Sequence, residues 1–316
     1  MKTINVMNRR AFVQKSFCLA SSLAVVPLIA ATDAQAVNVR LGGPLFEKFD
    51  GPDTWIAALK QRGYRAAYCP IKTDAANDVI NAYALAAKKA DIVIAEVGAW
   101  SNPLSADLSV AQQAFKKCVE SLALAEAIGA NCCVNISGSK NPQHWAGPHE
   151  ENFSDSTFDQ IVEVTRKIIA EIKPTRTYFT LEFMPWIYPD SVDSYLRIIK
   201  AVDHKQFAVH MDPVNIINSP RAYYSNSVLI KECFAKLGQY IRSCHGKDII
   251  LKEDSYSTQL EECRPGLGQL DYGTYLTELS KLKNIPLMLE HLPSAVEYEK
   301  AAAFVRSVGK QIGIAM

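Results

Sequence analysis

Short runs of strand-forming residues alternate with longer amphipathic segments along most of the chain, and this alternation limits the fold more than any other feature. The eight apolar or β-branched runs are residues 39–43, 66–69, 92–97, 132–136, 178–183, 207–211, 241–244 and 286–289. The clearest amphipathic segment is 110–128, in which apolar residues recur at helical spacing. Eight strands with helices between them are typical of a (β/α)8 TIM barrel, and we predict that fold in the α/β class.

Other segments with helical spacing support the same count of elements. They are residues 158–172, 192–201, 272–282 and 295–308. Gly63, Gly129 and Gly309 stand where helix C-caps are expected. No linker or low-complexity segment divides the chain, so one large domain is predicted after the N-terminal segment.

The first 36 residues are predicted to be an export signal. The sequence NRRAF at 8–12 is followed by an apolar run at 17–31 and by AQA at 34–36. A charged region, an apolar region and a small-residue cleavage site make a signal peptide, and the paired arginines indicate the twin-arginine route. We therefore expect residues 1–36 to be the signal, residues 37–316 to be the barrel, and the mature protein to be periplasmic or extracellular. An uncleaved N-terminal anchor is the alternative, although the run is short for a membrane span.

Charge and cysteine content exclude several classes of protein. Residues 1–36 hold four basic residues and one acidic residue, so their removal changes the net charge from +1 to about −2. A weakly acidic protein without a basic cluster is not expected to bind nucleic acid or, after signal cleavage, a membrane surface. Seven cysteines remain, with no Cys-x-x-Cys spacing, which predicts neither a disulfide framework nor a zinc ribbon. Formation of one disulfide after export is an alternative that the sequence leaves open.

Each of the last four predicted strands ends at a residue that can bind a metal. These residues are Glu182, Asp212, His245 and Glu290. A charge is not expected inside a strand that is buried on both faces, but the C-terminal ends of barrel strands form the face where active sites lie. Three carboxylates with one imidazole suit Mn²⁺, Mg²⁺, Co²⁺ or Zn²⁺ better than a structural zinc. Any one of the four could be a buried ion-pair member; four at corresponding positions predict a metal site.

Several motifs around these positions resemble the xylose-isomerase-like TIM barrels, the superfamily of sugar phosphate isomerases/epimerases, ketose 3-epimerases and endonuclease IV-type nucleases. The motifs are Asp212-Pro213, His245-Gly246-Lys247-Asp248, PGLGQLDY at 265–272 and Leu289-Glu290-His291. The resemblance extends from Val37 to the C-terminus. It implies one divalent metal held by Glu182, Asp212, His245 and Glu290.

The same resemblance implies a reaction. In epimerase members the metal polarises a carbonyl and an adjacent hydroxyl, which eases removal of the proton between them. Glu182 and Glu290 would exchange that proton on opposite sides of the carbon. We therefore expect a sugar isomerase or epimerase with Mn²⁺ as the metal. The alternatives are a lyase that expels the β-substituent of a keto-glycoside, a phosphodiester hydrolase, and a non-catalytic carbohydrate-binding protein.

One position departs from the epimerase pattern. Relatives commonly carry a substrate-contacting His three residues after the strand-six Asp, where this chain has Asn215. An asparagine can donate a hydrogen bond to a sugar hydroxyl but does not titrate near neutral pH. We expect Asn215 to bind substrate, and the exchange argues against the usual ketose-epimerase substrate.

Further residues are candidate substrate contacts. They are Lys247, Glu96, Trp100, His144 and Trp145. For Glu96 and Trp100, the alternatives are a supporting ion pair and packing over the barrel mouth. Lys247 could bind a substrate oxygen or balance the carboxylates, and Asp248 is expected to be its partner or to support the site. The polar segment 138–154 would cap the substrate or form a solvated loop.

We also have expectations for two other histidines, for the type of ligand and for self-association. His210 should share a strand face with Asp212 as a hydrogen-bonded core histidine. His291 follows Glu290 directly and is expected to point away from it. Because no Arg/Lys phosphate clamp is visible, the expected ligand is an unphosphorylated sugar or glycoside. Relatives often form dimers or tetramers, so self-association is left open.

Overall fold

The computed structural model describes residues 38–316, which form a closed barrel of eight parallel strands. The barrel strands are β1 (Arg40–Gly42), β2 (Ala66–Tyr68), β3 (Val93–Gly98), β4 (Cys132–Asn135), β5 (Tyr178–Glu182), β6 (Phe207–Met211), β7 (Ile241–Gly246) and β10 (Pro286–Leu289). Strand β1 closes the barrel by pairing with both β2 and β10. The predicted TIM barrel is confirmed. The export signal and its boundary at Val37 lie outside the described residues and stay predictions.

Nine α-helices surround the barrel in the described part of the chain. They are α1 (Pro52–Gln61), α2 (Asn77–Ala90), α3 (Leu108–Ile128), α4 (Asp155–Ile172), α5 (Val192–Val202), α6 (Pro220–Tyr224), α7 (Asn226–Leu237), α8 (Tyr272–Leu279) and α9 (Ala295–Gln311). Each predicted helical segment is present, with ends that differ by a few residues. The sequence patterns did not give bounds for α1, α2, α6 or α7.

Helix ends follow local sequence. Asp107 Oδ1 accepts the backbone N–H of Ser109 at 2.8 Å and caps the start of α3, and Gly129 ends that helix at φ 78°. Gly63 has φ 66° after α1, as expected for a residue that follows a helix. The expectation for Gly309 is wrong, because α9 continues through it to Gln311. The left-handed glycine at this end of the chain is Gly313, with φ 75°.

An antiparallel hairpin of β8 (Asp248–Leu251) and β9 (Leu260–Cys263) follows β7 and was not predicted. Ile249 lies opposite Glu262 in this hairpin. Lys247 alone separates β7 from β8, so the hairpin starts at the C-terminal end of a barrel strand, where candidate site residues lie.

Apolar side chains fill the space between strands and helices. On α4, for example, Phe158, Ile161 and Ile168 are buried and repeat at helical spacing. The seven cysteines among residues 38–316 are free, and five of them are buried. Over the same residues, no helix is both long and apolar enough to cross a membrane.

Candidate active site

Four strands bring Glu182, Asp212, His245 and Glu290 together at the C-terminal end of the barrel. Each residue offers one ligand atom, and these four atoms lie within 4.8 Å of one another. The Nδ1 atom of His245 is 2.7 Å from Glu182 Oε1, 2.9 Å from Glu290 Oε1 and 3.8 Å from Asp212 Oδ2. The structure therefore gathers the four predicted ligands in one cluster, which we call the quartet.

The polar atoms of the quartet are poorly satisfied by the protein itself. Asp212 Oδ2 and Glu290 Oε1 are buried and have no hydrogen-bond partner that meets standard geometry among the described residues, although the ammonium of Lys247 lies near both. A single imidazole nitrogen can donate to one carboxylate, so it cannot satisfy the three oxygens that face it. Burial raises the pKa of Glu182, and the charges of Glu290 and Asp212 add to this rise against the opposing effect of His245. Unsatisfied oxygens around one point fit a divalent cation with oxygen and imidazole ligands.

Glu96, on β3, supports the imidazole of His245 from inside the barrel. Its Oε1 atom lies 3.1 Å from His245 Nε2, and the carboxylate is almost fully buried. When Nε2 carries the proton and its N–H donates a hydrogen bond to Glu96, the lone pair of Nδ1 faces the carboxylates of the quartet. A carboxylate behind a histidine fixes the tautomer and orientation of a metal ligand in this way.

His210 and Ser243 hold the other oxygen of Glu96. His210 Nε2 lies 2.8 Å from Glu96 Oε2, and the Ser243 hydroxyl donates to the same atom at 2.7 Å. Burial alone would raise the pKa of Glu96, but His210 and His245 lower it well below its usual range. The expected hydrogen bond of His210 is present, and its partner is Glu96.

Lys247 is a buried cation beside the quartet. Its Nζ atom forms ion pairs with Asp212 Oδ2 at 2.9 Å and with Glu290 Oε1 at 3.4 Å. It donates to Asn215 Oδ1 and to Glu262 Oε1, both at 2.8 Å. Burial would lower the pKa of Lys247, but the carboxylates of Asp212 and Glu290 raise it well above its usual value. Lys247 is therefore a fixed positive charge at the edge of the site.

A cavity of about 980 Å³ opens above the quartet. Five of the six predicted substrate contacts line it, namely Glu96, Trp100, Trp145, Asn215 and Lys247. The ring of Trp100 lies 6.3 Å from that of His245. Asn215 donates to the carbonyl of Phe183 at 2.9 Å, which fixes its amide at the cavity wall.

His144 is exposed and is not among the lining residues; its role stays a prediction.

The structure adds Glu262 and His291 to the cavity wall and corrects one expectation. His291 does not point away from Glu290; its Nε2 atom lies 3.6 Å from Glu290 Oε2. The reason is backbone conformation, because His291 has φ 56° and strand alternation does not apply to it. Its Nδ1 atom lies 2.9 Å from Glu262 Oε2. No local signal placed Glu262 on a strand, because the sequence LEEC at 260–263 does not alternate between apolar and polar residues.

Asp248 is not the partner of Lys247. Its carboxylate accepts backbone N–H groups from Gly266, Gly268 and Leu270 at 2.8 to 3.1 Å. Adjacent residues of an extended chain point to opposite sides, so Lys247 faces the cavity while Asp248 faces this loop. A side chain at Gly268 would collide with the backbone of Ile249 and the carboxylate of Asp248. Gly268 of the PGLGQLDY motif therefore lets the loop pack against β8.

Comparison with known proteins agrees with the fold. The family model for the xylose isomerase-like TIM barrel matches residues 56–308. A xylose isomerase-like TIM barrel protein from Mycobacterium smegmatis, solved in complex with magnesium, has 14% identity and a TM-score of 0.60; the match covers 88% of this chain and 97% of that chain. No protein of curated function matches the sequence significantly.

Two further solved structures with the same fold are sugar epimerases. D-psicose 3-epimerase from Clostridium cellulolyticum H10, solved with D-tagatose, has 14% identity and a TM-score of 0.61, over 88% of this chain and 100% of that chain. The 3-keto-D-glucoside 4-epimerase from E. coli, in its apo form, has 13% identity and a TM-score of 0.59, over 85% and 99%. At such identities the likeness establishes the fold alone.

Proposed function

Because the chain belongs to the xylose isomerase-like TIM barrel family, we propose that it is a divalent-metal-dependent sugar isomerase or epimerase. The observation that carries this proposal is the position of Glu182 and Glu290, whose carboxylates meet at His245 Nδ1 beneath a large cavity. The two named epimerases with the same fold act on sugars that carry a carbonyl group, which supports the same class of substrate here.

The quartet would hold the metal, and Glu96 would keep His245 in the orientation that binding needs. A bound divalent cation would polarise a substrate carbonyl and the neighbouring hydroxyl, and so lower the barrier to loss of the proton between them. Mn²⁺ is the metal we propose first, with Mg²⁺, Co²⁺ and Zn²⁺ as alternatives, because the ligands are mostly carboxylate oxygens.

Glu182 and Glu290 are the proposed proton carriers. Strands β6 and β7 separate β5 from β10 in the barrel, so the two carboxylates approach the site from different sides. One carboxylate would accept the proton from the carbon next to the carbonyl, and the other would return a proton to the opposite face. The fixed ammonium of Lys247 and the amide of Asn215 would orient substrate oxygens during this exchange.

The cellular location of the protein is the subject of a separate proposal. We propose that residues 1–36 direct export by the twin-arginine route and that residues 37–316 act in the periplasm or outside the cell. The NRRAF sequence and the small-residue site at 34–36 support it.

The experiment is deuterium uptake from heavy water into a panel of ketoses, aldoses and keto-glycosides, with manganese-loaded protein. We expect chelator-sensitive uptake at a carbon next to the carbonyl, and a loss of at least about 10²-fold in Glu182→Gln and Glu290→Gln. Glu163→Gln, an exposed carboxylate on α4, is the matched control and should retain the rate. Release of an aglycone instead would make the protein a lyase with the same residues. Absence of both reactions over the whole panel would contradict an enzymatic role and favour carbohydrate binding.

A further inference from the structure

We propose that the substrate is an uncharged glycoside, with one sugar ring at the quartet and a second ring or an apolar group against Trp145 and Trp186. This inference rests on the proposed function for the position of the first ring. The size, the aromatic lining and the charge of the cavity each support it.

The cavity is larger than one sugar ring needs. Pockets for drug-sized ligands span about 300–1,000 Å³, and the volume of about 980 Å³ lies at the upper end of that range. A monosaccharide held at the quartet would leave much of this space to water. The remaining volume accommodates a second group of similar size.

Two tryptophans from different loops form an apolar wall beyond the quartet. Trp145 lies in the loop after β4, and Trp186 lies in the loop after β5; both line the cavity. The Trp186 indole N–H donates to the carbonyl of Ala146, and the buried Asn152 side chain donates to the carbonyl of Trp186 at 3.1 Å. These bonds join the two loops, so the wall is formed before any ligand binds.

Trp145 keeps 45% of its surface exposed although it lines the cavity. An aromatic face left open at the mouth of a cavity is available to a ligand. The C–H face of a sugar ring, or another aromatic ring, packs well on such a π surface. Met184 and Pro185 also line the cavity between Glu182 and Trp186, so one wall extends from the quartet to the tryptophans.

The charges of the cavity favour a neutral ligand. Among the described residues, no arginine lines it, and Lys247 and His291 already face carboxylates. Four carboxylates line the same space: Glu96, Glu182, Glu262 and Glu290. A phosphate or carboxylate on the second group would therefore find no free cationic side chain among the residues that line the cavity.

The test is calorimetric binding to magnesium-loaded protein. Glucose, galactose and mannose are each compared with the phenyl glycoside, with a disaccharide that carries the sugar at its reducing end, and with the 6-phosphate. We expect at least one two-group ligand to bind at least tenfold tighter than its monosaccharide, with no such gain for the 6-phosphate. A gain for phenyl glycosides alone would indicate an apolar second group, and a gain for disaccharides would indicate a second sugar ring.

Variants of the two tryptophans test whether these residues cause the tighter binding of two-group ligands. Trp145→Ala and Trp186→Ala should weaken binding of the two-group ligand far more than binding of its monosaccharide and so remove the gain, whereas Trp145→Phe should keep most of it. Trp145 is half exposed, so its removal should not disturb folding even if loss of Trp186 does. Tyr224→Ala, an exposed aromatic outside the cavity, is the control and should keep the gain.

Binding and deuterium uptake separate the two proposals. Equal affinities for all ligand pairs, or a gain that survives Trp145→Ala, would overturn the two-group substrate. Tightest binding by a 6-phosphate would do the same. A gain that depends on Trp145, together with no deuterium uptake in any sugar, would support the ligand class and contradict the proposed reaction.

Discussion

Among individual residues, Glu96 connects the quartet to its surroundings. Its buried carboxylate contacts His245, which belongs to the quartet, and also His210 and Ser243, which do not. Its two oxygens are used by His245, His210 and Ser243. Both oxygens already face hydrogen-bonding groups of these side chains. The geometry therefore favours the supporting role over the substrate contact that the sequence also suggested.

The variant Glu96→Gln tests this role. Loss of the negative charge behind His245 should weaken metal affinity by about 10–100-fold, as for other carboxylates that orient metal-binding histidines. Titration calorimetry with Mn²⁺ measures the change, and the histidine ¹⁵N NMR spectrum reports the tautomer of His245. Glu262→Gln changes a carboxylate of the same cavity that does not contact His245, and it should have a clearly smaller effect. Affinity equal to wild type in a folded Glu96→Gln protein would show that Glu96 does not orient the ligand.

Lys247 offers a second test at the same scale. Its side chain is 2% exposed and compensates Asp212 and Glu290. Lys247→Met should destabilise the metal-free protein by about 3–5 kcal/mol, because buried carboxylates lose their counter-charge. Thermal unfolding with and without Mg²⁺ should then show a larger metal-induced rise in Tm than in wild type, since the cation replaces the missing charge. An equal rise in both proteins would mean that Lys247 and the metal do not compensate the same carboxylates.

At the element scale, Glu126 in the last turn of α3 holds the segment that leads into β5. Its carboxylate accepts the backbone N–H groups of Thr175, Arg176 and Thr177 at 3.0 to 3.2 Å, and the Thr175 hydroxyl at 2.7 Å. Burial would raise its pKa, but the hydrogen bonds outweigh this and lower it from 4.5 to about 2. This contact ties a helix to the strand that carries Glu182.

The lowered pKa of Glu126 predicts a pH-dependent contribution to stability. The stabilisation is complete above the unfolded-state pKa, near 4.5, and is lost as the pH falls towards about 2. Glu126→Gln should therefore lower the free energy of unfolding by about 1–2 kcal/mol at pH 7 and by less at pH 3. Urea unfolding at both pH values measures the difference. Glu163→Gln should change stability by less than about 0.5 kcal/mol at either pH. A deficit for Glu126→Gln that is as large at pH 3 as at pH 7 would contradict this account.

The elements also show how far the sequence could be interpreted. The barrel strands were predictable because each is a short apolar run between amphipathic helices. Glu182 and Glu290 could be placed because a carboxylate ends an otherwise apolar strand. The hairpin of β8 and β9 was missed because its strands are short and their sequences, DIIL and LEEC, do not alternate between apolar and polar residues. His291 was misplaced because its left-handed φ depends on a turn that no local pattern specified.

At the scale of the whole molecule, the barrel explains why residues far apart in sequence can act together. Glu182 and Glu290 are separated by more than a hundred residues, yet both reach His245 because parallel strands end on one face. The partners of Glu96 likewise come from β6 and β7, across the barrel interior. The contacts of Glu96 depend on strand order and register, which sequence patterns do not provide.

The metal content of the protein that begins at Val37 shows directly whether the quartet binds a cation. Elemental analysis after supplementation with manganese, magnesium, cobalt or zinc should find about one equivalent of one of these ions per chain. Glu290→Gln should hold much less, and Glu163→Gln should hold as much as wild type. A wild-type protein that stays metal-free after supplementation would contradict the claim that the quartet is a metal site. So would a Glu290→Gln variant that retains the full amount.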